Sequence, residues 1–170
     1  AIATEGPKTF SGMLADSVAA MAGVKLNHVP YTKAPDALQD VLGGRVQLVC
    51  LPDASHTSYL QGSQMRALAV STARRVPTLP NVPSLSETFA GFDYAGWNGI
   101  FAPAGTPADI VARVNRDLDA LMQQGEVVQR MQVLGSQVEA RQTVPEFEAF
   151  MRAERERWAR LVKQLDIQPE

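Results

Sequence analysis

The stretch that most constrains the fold is residues 26–51, LNHVPYTKAPDALQDVLGGRVQLVCL. Its pattern is that of a strand, a short helix ended by glycines, and a second strand whose residues 46–51 are almost all apolar. Such a continuous apolar strand is typical of a sheet that helices cover on both faces. The pattern therefore predicts a parallel βαβ unit and places the chain in the α/β class.

Further elements are predicted on both sides of this unit. The chain opens on a strand end and a turn, followed by a helix with an apolar stripe of Phe10, Leu14, Val18 and Met21. A buried strand is predicted at residues 65–70. The proline-rich segment after it is predicted to be irregular, with one short helix near residues 84–89.

The last part of the chain is predicted to be mostly helical. A strand at 97–102 precedes a helix for which Thr106 is a suitable N-cap. The buried face of that helix is expected to consist of Ile110, Val111, Val114, Leu118, Leu121 and Met122. A helix over 126–134, a strand over 137–140 and a long helix with a capping box at Thr143 follow. The long helix is expected to expose a charged face of Arg152, Glu154, Arg155, Glu156, Arg157 and Arg160.

Composition and charge narrow the classes of function. The 170 residues carry 16 basic and 18 acidic side chains, for a net charge of −2, and no basic cluster that would favour a nucleic-acid partner. No apolar stretch approaches the roughly 20 residues needed to span a bilayer. The single cysteine, Cys50, lies inside the apolar strand, so we expect a buried core residue and not a reactive thiol.

Catalytic signatures are scarce. The chain has two histidines, and neither has a second histidine or a cysteine at metal-binding spacing. His28 is expected to be a packed, hydrogen-bonded residue of a strand. His56 lies close in sequence to Asp53, Ser55 and Ser58, but no nucleophile-elbow motif accompanies them, so a hydrolase is the least favoured hypothesis. We therefore predict no catalytic residue, no metal and no cofactor.

Binding chemistry is better represented, at strand-to-helix junctions. Residues 4–9, TEGPKT, lie between the first strand and the first helix, where free backbone N–H groups and the positive end of the helix dipole attract anions. Gly6 would allow close backbone approach, and Thr4 and Thr9 supply hydroxyl groups. Asp53 and Ser55 follow the apolar strand at a comparable sheet edge. The pattern suits a small carboxylate, although an ordinary turn would have the same sequence.

Six segments occur in an order that points to a known family. They are His28-Val-Pro-Tyr31, Ala34-Pro35, Leu42-Gly-Gly-Arg-Val46, Arg66-Ala-Leu-Ala-Val70, Leu79-Pro-Asn-Val-Pro83 and the stretch from Trp97 to Pro107. With these segments the chain resembles, over essentially its whole length, the extracytoplasmic substrate-binding proteins of tripartite tricarboxylate transporters, the Bug family.

The resemblance implies a type 2 periplasmic binding protein fold, in which two α/β lobes close around a cleft on a small carboxylated metabolite. It also implies a periplasmic protein that passes its ligand to membrane transporter subunits and is not an enzyme. The ligand loop of the family corresponds to residues 4–9. This chain departs from the family pattern at Lys8, which replaces a glycine, and at Gly12, where the family has a histidine. Lys8 would either attract an anion or block close backbone approach.

Members of the family are longer, and their N-terminal half has no counterpart in this chain. Residues 1–75 are expected to form part of lobe two, 76–96 an irregular crossover, and 97–170 the C-terminal portion of lobe one. One interpretation is a receptor whose ligand-binding residues are Thr4, Gly6, Lys8, Thr9, Asp53 and Ser55. The other is a truncated fragment without ligand-binding activity, which forms a homodimer through surfaces that the missing half exposes.

Overall fold

The structure is a computed structural model, and it describes residues 1–51, 57–134, 136–138 and 142–167. The chain divides into two compact units, Ala1–Gly96 and Trp97–Glu170. The first unit is α/β and the second is helical among its described residues. The assignment of segments 1–75, 76–96 and 97–170 to particular lobes stays a prediction.

A small parallel sheet organises the first unit. Its elements are β1 (Ile2–Thr4), α1 (Phe10–Ala22), β2 (His28–Pro30), α2 (Ala34–Leu42), β3 (Leu48–Val49) and α3 (Thr57–Gln61). The strand order is β2-β1-β3, and both pairs are parallel, with Ile2 opposite His28 and Leu48. The predicted parallel arrangement is confirmed. The two strands of the predicted βαβ unit are not neighbours, however, because β1 lies between them.

The core of the first unit forms where β1 meets α2 and the segment just before β3. Ala3, Ala37 and Val46 are buried, and half-buried Val29, Tyr31, Val41, Val49 and Leu51 pack against them. The buried face of α1 differs from the predicted stripe, since Met21 is 48% exposed while Ser11, Gly12, Leu14, Ala15, Ser17 and Ala19 are buried. Small side chains dominate the buried face of α1, so the helix backbone can lie close to the residues that pack against it.

The predicted buried strand at 65–70 is wrong. Only Val70 makes a bridge, to Ser84, and Leu68 is 53% exposed. A strand needs a backbone partner along its length, and the described residues supply one at a single position. The short helix predicted near 84–89 is present as a 3-10 turn at Leu85–Glu87, with Ser84 as its N-cap.

An ion pair at this turn gives the first unit an acid-sensitive contact. Arg75 donates to Glu87 through Nε at 2.8 Å and Nη2 at 2.7 Å, and the Ser84 backbone N–H also donates to Glu87, at 2.9 Å. These hydrogen bonds, of which those from Arg75 have the largest effect, lower the pKa of Glu87 to about 2. Because this pKa is lower in the folded chain than the ordinary value of 4.5, the ionised carboxylate stabilises the folded chain above pH 4.5. That stabilisation is lost as the pH falls from 4.5 towards 2.

We therefore expect Glu87→Gln to lower the midpoint of thermal unfolding at pH 7, and we expect the difference from the wild-type chain to shrink between pH 4.5 and 2. Glu148→Gln, which removes an exposed carboxylate from the last helix, is the matched control. Scanning calorimetry across this pH range tests the expectation, and a Glu87→Gln difference that stays constant with pH would contradict it.

Three helices make up the described part of the second unit: α4 (Ala108–Met122), α5 (Gly125–Val133) and α6 (Val144–Gln164). The predicted strand at 97–102 is wrong, since that segment forms no ladder and Phe101 is 63% exposed. Residues 137–138 are not in a strand, and 139–140 lie outside the described residues. Among the described residues, none of the helices combines the length and the apolar character of a transmembrane segment.

Helix α4 also differs from its prediction. None of its residues is buried, and Ile110, Val114 and Leu121 are more than two-fifths exposed. Burial requires an opposing surface, and within this unit α4 packs mainly against α5. The N-cap is Pro107 and not Thr106, and the Thr106 hydroxyl donates to the Pro103 carbonyl at 2.8 Å instead of capping the helix.

Helix α6 begins with the predicted capping box. Thr143 Oγ1 accepts from the Glu146 backbone N–H, and Glu146 accepts from the Thr143 N–H at 2.7 Å. Its charged face is exposed at Arg152, Arg155, Glu156 and Arg160. The prediction is wrong for Glu154, which is only 4% exposed.

Glu154 is buried because it joins the helix to two indole rings. Its Oε2 accepts from Trp97 Nε1 at 3.2 Å and from Trp158 Nε1 at 3.3 Å. Arg157 Nε lies 3.2 Å from Oε1 but outside hydrogen-bonding geometry, so charge attraction is what links them. Trp97 also packs edge-on against Phe147 and Phe150. One carboxylate thus ties the first residue of the unit to its last helix.

Candidate ligand-binding loop before the first helix

Residues 4–9, called loop 4–9 below, connect the carboxyl end of β1 to the start of α1. Thr9 is the N-cap of the helix, and its Oγ1 accepts from the Gly12 backbone N–H at 3.2 Å. The loop therefore lies at the positive end of the helix dipole, beside the first backbone N–H groups of the helix. This is the arrangement that the sequence predicted.

Two glycines allow the loop to fold back over the helix. Gly6 has φ +128°, a conformation that other residues rarely adopt. Its carbonyl accepts from the Thr9 N–H at 3.2 Å and from the Thr9 hydroxyl at 2.6 Å. A Cβ on Gly12 would lie 2.0 Å from that same carbonyl oxygen and 2.7 Å from Pro7 Cα. The requirement for glycine at position 12 could not be predicted from the sequence, because it depends on a contact between backbone segments.

The four predicted ligand-binding residues of the loop differ in exposure. Thr4 is fully buried, and its Oγ1 accepts from the Gly6 N–H at 3.2 Å. Gly6 is buried, Thr9 is half-buried and Lys8 is exposed. The structure thus brings all four into one loop, and their contact with a ligand stays a prediction. Asp53 and Ser55 lie outside the described residues, as does His56.

A carboxylate that the sequence reasoning overlooked also belongs to the loop. Glu5 is exposed, its backbone N–H donates to Ser11 Oγ at 3.0 Å, and that hydroxyl is 3.4 Å from Glu5 Oε2. The loop therefore carries one negative side chain, Glu5, and one positive side chain, Lys8. The described residues contain no group of three His, Cys, Asp or Glu side chains that could hold a metal ion.

Tyr31 and its neighbours fix the sheet edge beside this loop. The Tyr31 hydroxyl donates to Asp40 at 2.6 Å, and Arg45 Nε donates to the same carboxylate at 2.7 Å. The bond from Tyr31, followed by that from Arg45, lowers the pKa of Asp40, and the bond to Asp40 raises the pKa of Tyr31. These bonds connect the end of β2 to helix α2 and to the turn that follows it.

Cys50 follows β3, and its chemistry reflects both burial and Glu5. It is half-buried. Burial, and to a smaller extent the negative charge of Glu5, raises the pKa of its thiol to about 11. Because the thiolate is the reactive form, we expect alkylation at pH 8 to be about 100-fold slower than for an exposed cysteine. Iodoacetamide labelling followed by mass spectrometry tests this, with the urea-unfolded chain as the control. Equal rates in the folded and unfolded chain would contradict it.

Comparison with known proteins connects this fold to a family. The model of the tripartite tricarboxylate transporter family receptor, TctC, matches residues 2–167. The chain belongs to this receptor family. The predicted resemblance is thereby confirmed, since the match covers nearly the whole sequence.

A curated relative agrees with this membership. A UPF0065 protein from Pseudomonas sp. (strain P51), in the tcbD-tcbE intergenic region, is 33% identical over 163 residues, which are 94% of this chain and 48% of the relative. This chain therefore spans about half the length of that relative.

Two solved structures share the fold of this chain. R. palustris Rpa4515 with adipate has a TM-score of 0.82 and 25% identity, covering 99% of this chain and 56% of that one. The periplasmic binding protein BugD has a TM-score of 0.79 and 27% identity, covering 99% of this chain and 57% of that one. The predicted α/β periplasmic binding protein fold is confirmed, for a chain about half as long as these proteins.

Proposed function

We propose that this chain is part of an extracytoplasmic, periplasmic receptor that captures a small carboxylated metabolite for a tripartite tricarboxylate-type membrane transporter. The observation that carries the proposal is the match to the receptor family over residues 2–167. The similarity to the structure of R. palustris Rpa4515 with adipate supports a carboxylate as the ligand class. A receptor of this kind binds and releases its ligand without making or breaking a covalent bond.

Loop 4–9 is the proposed carboxylate contact. The start of α1 supplies backbone N–H groups and a positive dipole end, and Lys8 adds an exposed positive side chain. Thr9 holds the first turn of the helix in place through its bond to Gly12. Asp53 and Ser55 are proposed as contacts from the neighbouring sheet edge. Segments 1–75 and 97–170 are proposed as portions of lobe two and lobe one.

The proposal predicts that charge at Lys8 matters for an anionic ligand. We expect Lys8→Glu to weaken the binding of adipate about tenfold, because the reversal replaces an attraction by a repulsion near the carboxylate. Lys25→Glu, at an exposed position just beyond the C-terminal end of α1, changes net charge equally and should leave the affinity unchanged.

Isothermal titration of the full chain with adipate measures this effect, and 1,6-hexanediol serves as the uncharged control ligand. The proposal expects saturable binding of adipate and none of the diol. Binding of neither compound, or the same loss of affinity in Lys8→Glu and Lys25→Glu, would count against loop 4–9 as the carboxylate contact.

A second candidate is a self-associating fragment without ligand-binding activity. The observation that favours it is the exposure of large apolar side chains in the second unit: Ile100 at 68%, Phe101 at 63%, Val133 at 77% and Leu134 at 60%. Exposed apolar patches of this kind mark interfaces in many proteins. Sedimentation velocity over a range of concentrations tests it. A homodimer that binds no adipate supports this candidate, and a monomer that binds adipate removes it.

A further inference from the structure

A chain of polar side chains runs behind loop 4–9, from β1 through β2 to α1. The His28 ring lies between Thr4 and Asp16, with Nδ1 3.4 Å from Thr4 Oγ1 and Nε2 2.8 Å from Asp16 Oδ1. The His28 side chain is only 14% exposed, and Thr4 is fully buried. These three side chains come from three different elements, so the array connects the sheet to the helix underneath the loop.

The partners of the ring determine where its proton lies. A carboxylate accepts hydrogen bonds and does not donate them, so the imidazole tautomer that satisfies Asp16 carries its hydrogen on Nε2. Nδ1 then offers a lone pair, to which the Thr4 hydroxyl donates. The oxygen of that hydroxyl is left to accept from the Gly6 N–H, 3.2 Å away. The donors therefore run in one direction, from Gly6 to Thr4, from Thr4 to His28 and from His28 to Asp16.

We propose that His28 is a positioning residue for loop 4–9, and that it acts through the hydroxyl of Thr4. By accepting the hydrogen of Thr4, Nδ1 turns the lone pair of Thr4 Oγ1 towards the Gly6 N–H. Gly6 in turn holds Thr9, because its carbonyl accepts both the N–H and the hydroxyl of the N-cap residue. Through these bonds the imidazole holds the backbone of loop 4–9 in place at the N-terminal end of α1. The effect of His28 on ligand affinity rests on the proposed function of the loop.

Two substitutions separate this role from packing. Asparagine at position 28 places an amide oxygen near the position of Nδ1, so His28→Asn keeps an acceptor for Thr4 and loses the bond to Asp16. Glutamine reaches the position of Nε2, so His28→Gln keeps a donor for Asp16 and loses the acceptor for Thr4. A residue needed only for packing or for the hydrogen bond to Asp16 would not favour asparagine.

The first test needs no ligand. In the full chain at pH 8, ¹⁵N shifts of the His28 ring should report the Nε2–H tautomer. Amide hydrogen exchange at Gly6 should stay within about threefold of the wild-type rate in His28→Asn and rise about tenfold or more in His28→Gln. An Nδ1–H tautomer, or equal rates in the two variants, would overturn the proposal.

A second pair of variants keeps the test decisive if the His28 variants do not fold. Thr4→Ser retains the hydroxyl and should preserve Gly6 protection, whereas the isosteric Thr4→Val should lose it. Equal protection in these two variants would also overturn the proposal. Across the His28 and Thr4 variants, adipate should bind more weakly wherever the Gly6 amide exchanges faster. If the wild-type chain binds no adipate, the proposed function fails, and the exchange measurements still decide the role of His28.

Discussion

Gly12→Ala is expected to destabilise the first unit by about 2–3 kcal/mol and to abolish adipate binding, because the added methyl group has no space. Its Cβ would lie 2.0 Å from the Gly6 carbonyl oxygen and 2.7 Å from Pro7 Cα. Both are backbone atoms, so relief requires either the loop or the first turn of α1 to move. Urea unfolding followed by circular dichroism, together with calorimetric titration of adipate, measures the two effects.

Gly125→Ala is the matched control for this substitution. Gly125 is the first residue of α5, and a Cβ there would meet nothing within 4 Å. Its replacement should change the free energy of unfolding by less than about 0.5 kcal/mol and leave adipate binding intact. A Gly12→Ala chain with wild-type stability and affinity would show that loop 4–9 does not need its close approach to the helix.

Glu154→Leu is expected to destabilise the second unit by about 2–4 kcal/mol, since it removes the acceptor shared by two indole N–H groups. Glu154→Gln keeps an acceptor oxygen and should cost about 1 kcal/mol. The chain has two tryptophans, and both donate to this carboxylate. Tryptophan fluorescence during urea unfolding therefore reports directly on the site.

The neighbouring glutamate gives the control for this experiment. Glu156 lies two residues further along α6 and is exposed, so Glu156→Leu should change stability by less than about 0.5 kcal/mol. We also expect a red-shifted emission for folded Glu154→Leu, as the indole rings loosen and contact water. Equal stability of Glu154→Leu and Glu156→Leu would contradict the role given to the buried carboxylate.

Elements defined by local signals could be predicted from the sequence. The glycine that ends α1 has φ +67°, and Thr143 and Glu146 form the capping box that begins α6. Such signals depend on residues within one turn of each other, so the sequence alone contains them. The parallel arrangement was also predictable, because the apolar run after α2 requires cover on both faces.

Features that depend on distant partners could not be predicted in the same way. The segments at 65–70 and 97–102 have strand-like composition, but strands need partner backbones that sequence patterns do not identify. Glu154 has the spacing of a solvated charge, and its burial depends on Trp97, 57 residues away. In loop 4–9, the threonines and Gly6 marked the candidate site in the sequence. The roles of Glu5, Ser11 and Gly12 could not be predicted, because they depend on how the loop backbone folds back over α1.

The most direct test of the central claim is a ¹H–¹⁵N NMR titration of the full chain with adipate. The claim is that loop 4–9 and the start of α1 form the carboxylate contact of a receptor. It predicts saturable shifts of the amides of Gly6, Lys8, Thr9 and the first turn of α1, with little change in α5, which serves as the internal reference. Saturable shifts confined to other residues, or no shifts at millimolar adipate, would contradict it.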